Sequence, residues 1–320
     1  MNIEKILDSV LAGCVISREE ALALLNVENK SNDFYKILFV ANHLTRKNFN
    51  NKAYIFAQIG INAEPCTKNC KFCSMGKNHY SMDSNWRKDY SAVSQEVDKL
   101  IEANIDDLFL MTTADYPIDD FLAIAEKVKK QLPSTIKFVA NIGDFDANIA
   151  LKLKQIGFTG VYHIHRLKEG IDTDIEPETR IKTLDAIVAA GLDLYYCVEP
   201  IGPEHSYQEL IDEMMRARDY HVKVMAVMRR IPVPGTPLHD KGQITALELA
   251  KIAAVTRIVS LPSRAMNAHE VTPLTLLGGV NQLYAEVGAN PRDNNSNTEK
   301  NRGVSASAIK NLLSDAEYDI

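Results

Sequence analysis

The feature that most constrains this chain is an alternation. Apolar runs of strand length at 54–61, 107–111, 136–141, 160–165, 192–199 and 222–233 are separated by amphipathic stretches at 92–103, 119–131, 146–156, 178–190, 207–220 and 245–258. In the amphipathic stretches apolar residues return at helical spacing, so these read as helices and the short runs between them as strands. Strands joined through helices pair in parallel. Two weaker runs, 258–261 and 283–288, bring the count to eight. Eight strand–helix units make an α/β fold of the (β/α)8 TIM type, which takes roughly 250 residues. Gly157 and Gly191 follow two of the helical stretches, where a left-handed residue closes a helix.

The residues ahead of the first strand read as helical. Leu7, Val10 and Leu11, then Ala21, Leu22, Leu24 and Leu25, recur at helical spacing, and Ser17 with Glu20 three residues on forms a capping box from which helix restarts at Arg18. A further helix spans 33–47. The expectation is an N-terminal helical cap over 1–50, followed by a barrel over 51–320 that includes a C-terminal tail. The polar segment 290–302 reads as a loop after the last strand.

Composition excludes several functions. Of 320 residues, 46% are hydrophobic and 24% charged, which rules out wholesale disorder. The 36 Lys plus Arg against 42 Asp plus Glu leave a net charge of −6 with no basic block, so the charge argues against a nucleic-acid partner. No apolar run reaches the roughly 18 residues a membrane span needs. Residues 1–18 carry acids and no continuous apolar stretch, unlike a secretory signal, so a cytoplasmic location is expected.

Five cysteines is an odd number, and three of them fall in Cys66-Thr-Lys-Asn-Cys70-Lys-Phe-Cys73. That clustering does not read as a disulfide framework; it reads as metal chemistry. The C-x3-C-x2-C loop follows the first strand, on the barrel rim that carries active sites. A [4Fe–4S] cluster takes four cysteines, so three leave one iron free to bind a small molecule. A zinc held by Cys66, Cys70, Cys73 and His79 and a set of metal-free buried thiols are the alternatives.

C-x3-C-x2-C with an aromatic before its last cysteine resembles the signature of the radical S-adenosylmethionine (SAM) enzymes. Ile61-Asn62-Ala63, Cys70-Lys-Phe-Cys73-Ser, Val233-Pro-Gly-Thr-Pro-Leu238, Ala289-Asn290 and the opening Ser9-Val-Leu-Ala-Gly13 with Ile16-Ser-Arg-Glu-Glu-Ala21 are similar to the biotin synthase group over nearly the whole chain. The resemblance implies a [4Fe–4S] cluster on Cys66, Cys70 and Cys73. It also implies SAM cleavage to a 5′-deoxyadenosyl radical and sulfur insertion converting dethiobiotin to biotin. It places Phe72 near the SAM adenine, Thr112, Thr113 and Asp115 at the amino group, Arg180 on the carboxylate, and the backbone of Ile231 to Val233 at the adenine. Thr112, Thr113 and Asp115 also suit a helix N-cap, Arg180 a solvated helix face, and Ile231 to Val233 plain barrel core. A small-molecule substrate, an electron donor such as flavodoxin or ferredoxin, and a homodimer complete the expectation.

One departure is chemical. The group's second cluster, [2Fe–2S], uses three cysteines and an arginine; those cysteine positions align with Leu110, Val139 and Tyr195 here, so a cluster of that design cannot form. Cys197 remains, on the strand face of Tyr195 and Glu199. With Glu199, His163 and His165 beside it, all three also substrate candidates, Cys197 is a candidate anchor for an auxiliary iron–sulfur centre; the alternative is that Cys197 is a small buried hydrophobe and the histidines are satisfied polar groups near SAM. Asn141, Arg264, Asn267, His269 and Glu270 lie at or past strand ends, suited to a ureido or carboxylate substrate, with Arg292 a further cation. The alternative functions are a radical SAM enzyme without an auxiliary cluster, of the hydrogenase-maturase or methylornithine-synthase kind, and a non-catalytic electron-carrier or zinc protein.

Overall fold

The structure is a computed structural model that describes residues 1–287, 290, 292–298 and 303–320. Three helices come first: α1 (Ile3–Leu11), α2 (Arg18–Leu25) and α3 (Asn32–Asn48). Strand β1 (Tyr54–Gly60) follows, then a two-stranded clip of β2 (Asn62–Ala63) and β3 (Trp86–Arg87). The chain continues through α4 (Tyr90–Glu102), β4 (Asp107–Met111), α5 (Ile118–Gln131), β5 (Lys137–Asn141), α6 (Ala147–Ile156), β6 (Gly160–Tyr162) and α7 (Pro177–Ala189). It ends with β7 (Asp193–Ile201), α8 (Tyr207–Asp219), β8 (Val224–Arg229), α9 (Ala246–Ser260), β9 (Ala265–Ala268), α10 (Pro273–Leu277), β10 (Gln282–Val287) and α11 (Ala306–Asp315). Strands β1, β4–β10 pair in parallel in the closed order β1-β10-β9-β8-β7-β6-β5-β4. This is the (β/α)8 barrel the alternation demands.

Local chemistry sets the helix ends as the sequence implies. The Ser17 side chain accepts from the Glu20 backbone while Glu20 reaches back to the Ser17 backbone, and Gly157 closes α6 at φ 105°. Helix α1 packs on α2 and α3, α2 lies against α8 and α9, and α3 against α9.

One strand lies elsewhere than the sequence pattern puts it. Residues 258–261 are not a strand: 258–260 form the last turn of α9, with Leu261 its left-handed cap. Every residue from Leu249 to Ser260 is buried, because α9 is covered by α3, α8, α10 and β8 together. A helix buried all round has no polar stripe, and its last turn then looks like a strand. The real strand, β9, is Ala-Met-Asn-Ala, too short and too mixed to signal itself. The last-strand expectation reached Gly288, which with Ala289, Pro291 and residues 299–302 lies outside the described residues.

Alternation along the strands sorts the barrel interior. Phe56, Phe109, Tyr162, Tyr195 and Tyr284 point inward and meet ring to ring: Phe56–Phe109 at 4.7 Å, Phe56–Tyr284 at 4.8 Å, Phe109–Tyr195 at 5.4 Å. Below them, at the N-terminal end of the strands, Arg264 forks onto Asp107 at 2.6 and 2.8 Å; Gln282 donates to Asp107 at 2.6 Å, and Asn267 to Gln282 at 3.1 Å. This polar plug closes the barrel floor. Of the three positions aligned with the absent cysteines, Val139 and Tyr195 point inward. Leu110 does not: its neighbour Phe109 faces Tyr195, so Leu110 faces the helices.

Candidate active site

The cluster loop runs between β2 and β3, pinned at the rim over the C-terminal ends of the strands. Its backbone folds on itself: Cys66 N–H donates to the Met75 carbonyl at 2.7 Å, Lys77 N–H to Cys66 at 2.8 Å, and Cys73 N–H to Cys70 at 2.9 Å. Lys71 N–H bonds the Asp172 carbonyl and Asp174 N–H the Lys68 carbonyl, stitching the loop to the segment before α7. Asn69 makes the turn in the left-handed region at φ 46°, which an asparagine tolerates.

All three loop thiols border one cavity of about 1200 Å³, counting its open mouth. Burial pushes the Cys70 thiol up to about 11 and raises Cys66 and Cys73 as well. Thiols gathered so closely, in a site this dry, ionise only against a cation. The Met75 N–H points at Cys73 Sγ, 3.4 Å away, and the Arg166 and Arg180 charges pull the Cys70 thiol back down. Donor set and field therefore fit a thiolate-bound iron–sulfur group. His79 does not belong to it. Its Nε2 lies 3.1 Å from the carbonyls of both Cys70 and Cys73, so the ring braces the loop backbone, which removes the fourth ligand of the zinc alternative.

Beyond the loop, the cavity is bordered by Phe72, Thr112, Thr113, Asn141, Arg180, Glu199 and Ile231, all expected from sequence. Thr113 exchanges two hydrogen bonds with Asn62 at 2.9 Å, and Asn141 donates to Gln58 at 2.8 Å. Arg180 is buried: its Nε donates to Glu169 at 3.0 Å and its Nη1 to Asp144 at 3.1 Å. Burial raises the Asp144 carboxyl, but the His163 hydrogen bond and the Arg180 charge outweigh that and hold it well below its usual value.

Other expected residues lie elsewhere. Asp115 accepts from Thr67 Oγ1 at 2.8 Å and from the Thr67 N–H, so it holds the cluster loop and does not face the cavity. The N-cap alternative fails too, since α5 starts after Pro117 with no side-chain cap. Val233 is buried away from the cavity lining. Arg264 and Asn267 sit in the floor plug, because Arg264 precedes β9 and the Asn267 side chain turns to Gln282 at the start of β10. Glu270 is paired with Arg229. His163 and His165 follow the short β6, where the strand alternation that would pair them has ended. His163 turns to Asp144 at 3.1 Å, and His165 turns outward to Glu213 at 2.8 Å; neither flanks Cys197.

The histidine that does approach Cys197 is His269, with Glu199. Arg292 borders the cavity and pairs with Glu286. Sequence reasoning missed Gln58, Tyr162, Arg166 and Tyr284. Gln58, Tyr162 and Tyr284 lie on strands that offered no candidate of the same parity, so the strand period alone did not find them. Arg166 follows β6, and only its guanidinium, 6.0 Å over the Phe72 ring and 3.5 Å from Glu199, reveals its place.

No family model matches the chain. It is 26% identical over 273 residues to a biotin synthase of Clostridioides difficile (strain 630), covering 80% of this chain and 81% of that relative. A biotin synthase of Sulfurihydrogenibium sp. (strain YO3AOP1) is likewise 26% identical over 270 residues, covering 80% and 78%. Among solved structures, HydG, a maturase of the [FeFe]-hydrogenase, superposes at TM-score 0.82 and 18% identity over 99% of this chain and 75% of its own. Methylornithine synthase, PylB, does so at 0.82 and 17% over 98% and 95%. By sequence the chain is biotin synthase-like.

That likeness implies a [4Fe–4S] cluster and SAM, and of the residues expected to hold them Cys66, Cys70, Cys73, Phe72, Thr112, Thr113, Arg180 and Ile231 border one cavity. Burial pushes His163 down to about 4, so it stays neutral and donates to Asp144 at neutral pH. As pH falls from 6.5 towards 4, the unfolded chain takes up a proton that folded His163 refuses, and stability is lost in that window, by about 3 kcal/mol in all. A His163→Gln variant keeps a donor for Asp144 and lacks this loss. Urea melts at pH 7 and pH 4.5 should show a drop in the parent that exceeds the drop in the variant; equal drops would contradict the assignment.

Proposed function

We propose that this biotin synthase-like protein is a sulfur-inserting radical SAM enzyme acting on dethiobiotin to give biotin, in the cytoplasm. What supports the reading is convergence: one cavity is bordered by the three-thiol loop, by buried Arg180 and by the Asn141–Gln58 amide pair. Cys66, Cys70 and Cys73 would hold the cluster, which supplies the electron that cleaves SAM and so yields the carbon radical that takes hydrogen from the substrate. The chain's own residues do the rest. Asp144 and Glu169 fix Arg180 through Nη1 and Nε, which leaves Nη2 for the SAM carboxylate. Thr112 and Thr113 offer hydroxyls to the amino group. The paired amides of Asn141 and Gln58 match a ureido ring, and Arg292 suits the substrate carboxylate. The sulfur source would be an auxiliary iron–sulfur centre at Cys197 or bound sulfide, the electron donor a flavodoxin or ferredoxin, and the assembly a homodimer.

One observation favours a second reading. Phe109, Val139 and Tyr195 fill the interior where the second-cluster cysteines would be needed, as a radical SAM enzyme without a sulfur donor, of the hydrogenase-maturase or methylornithine-synthase kind, would allow. An anaerobic reaction with SAM, dethiobiotin and reduced flavodoxin, read by mass spectrometry, separates the two. The lead requires 5′-deoxyadenosine and biotin together. 5′-Deoxyadenosine formed without biotin selects the second reading, and neither product rejects both.

A further inference from the structure

Deep in the barrel, beneath the cluster loop, three potential ligands come together, with the His269 ring packed among Phe56, Tyr162 and Tyr284. Cys197 and Glu199 project inward from β7, two residues apart on one face. His269 follows β9 and reaches over β8. Ala226, the inward residue of β8 in register with Cys197, offers only a methyl group between them. The Cys197 sulfur, a Glu199 oxygen and a His269 ring nitrogen all lie within 4.8 Å of one another; Glu199 Oε2 is 3.9 Å from His269 Nδ1. All three groups are well shielded from solvent.

Their present partners do not satisfy them. Cys197 reaches the neighbouring Val198 carbonyl at 3.6 Å, and its thiol stands beside Tyr162 and Glu199. The cation nearest Glu199 is Arg166, at 3.5 Å, and Arg166 Nε has no hydrogen-bond partner among the described residues. The Tyr162 hydroxyl, on a residue 6% exposed, faces Glu199 and Cys197 without a hydrogen bond of good geometry to either. Burying so many polar groups unsatisfied is costly unless something binds them.

We infer that Cys197, Glu199 and His269 form a mononuclear site for a borderline divalent cation, zinc or iron(II), with its fourth position open to the cavity. One thiolate, one carboxylate and one imidazole suit such an ion better than an iron–sulfur cluster, which takes thiolates. Around a tetrahedral ion with bonds of about 2.0–2.3 Å, donors stand roughly 3.3–3.8 Å apart, so side-chain movements of about an ångström close the site. Charge also balances: the thiolate and carboxylate neutralise the dication. Burial, with Glu199 beside it, keeps the free Cys197 thiol protonated, so metal uptake releases a proton. Tyr162 then faces the open position as a hydrogen-bond donor to whatever fills it. The site takes the place of an auxiliary iron–sulfur centre at Cys197, which leaves bound sulfide as the sulfur source, and it does not depend on dethiobiotin being the substrate.

The test uses cobalt(II) as the probe and the full chain carrying Cys66→Ala, Cys70→Ala and Cys73→Ala, which removes the competing thiols from an external loop. The expected result is one cobalt per chain, with the visible bands of a four-coordinate site and a near-ultraviolet thiolate-to-cobalt band. Adding Cys197→Ser should abolish the thiolate band. Adding Glu199→Gln or His269→Gln should weaken binding by more than the roughly tenfold that loss of even a supporting contact costs. Cobalt uptake without a thiolate band, or uptake unchanged by Cys197→Ser, overturns the inference. As a control that does not rely on the loop variant, the cluster-loaded parent should retain one zinc through desalting and Glu199→Gln should not; equal retention also overturns it. SAM cleavage is not part of the readout, so failure here leaves the radical SAM reading standing, and failure of SAM cleavage leaves this site standing.

Discussion

A Cys70→Ala variant, assayed anaerobically with SAM and a strong reductant, is expected to form no 5′-deoxyadenosine above background while keeping its fold. The middle cysteine borders the cavity between its two neighbours, and burial pushes its thiol up to about 11. Its removal takes one of only three thiolates from the cluster site, and no other cysteine can replace it: Cys14 is exposed on the helical N-terminus and Cys197 lies inside the barrel. The loop itself should persist. Its shape is set by backbone bonds from Cys66, Cys73 and Lys77, by Asp115 on Thr67 and by His79 on two carbonyls, none of which needs the Cys70 sulfur. A circular dichroism spectrum like the parent's, with iron content and 5′-deoxyadenosine both lost, is the predicted outcome. Product at the parental rate would remove the radical SAM assignment itself.

The barrel was legible because its signal is repeated. Eight units each needed only to resemble a strand followed by a helix, and seven of the eight strands fall where the pattern puts them. The eighth failed at α9, where burial on every side erased the amphipathic stripe that separates helix from strand. The cluster loop was legible for a different reason: three thiols at fixed spacing can be read without knowing how the loop folds. The rest of the site depends on distances the sequence does not carry. Arg264 and Asn267 stand near cavity residues in sequence, yet a shift of a few positions along one strand separates floor from mouth. His163 and His165 were paired by strand alternation, but β6 stops at Tyr162 and the two side chains part. His269 was noticed only as a substrate contact, because its nearness to Cys197 depends on Ala226 being small on the strand between.

The floor plug gives the second large effect, on stability instead of chemistry. Asp107 is fully buried and accepts three hydrogen bonds, two from Arg264 and one from Gln282. Burial raises its carboxyl, and Arg264 opposes that rise; burial lowers the Arg264 guanidinium, and Asp107 more than reverses it. Each charge is tolerated there only because of the other. Asp107→Asn preserves shape and removes the charge, leaving the guanidinium with a neutral amide and the tyrosine ring of Tyr54, 4.1 Å away. Removing one partner of a buried pair costs about 3–5 kcal/mol. Urea unfolding should therefore show a much lower midpoint with an unchanged slope. Replacing both residues at once, as Asp107→Asn with Arg264→Met, should recover most of the loss, because no unpaired charge then remains. The same pair decides what Arg264 is for. A cation gripping a substrate carboxylate would raise KM when replaced and would have no reason to be rescued by a change at Asp107. If Arg264→Met alone raised KM with no loss of stability, and the double variant gained nothing over Asp107→Asn, the plug would have to be read as part of the substrate site after all.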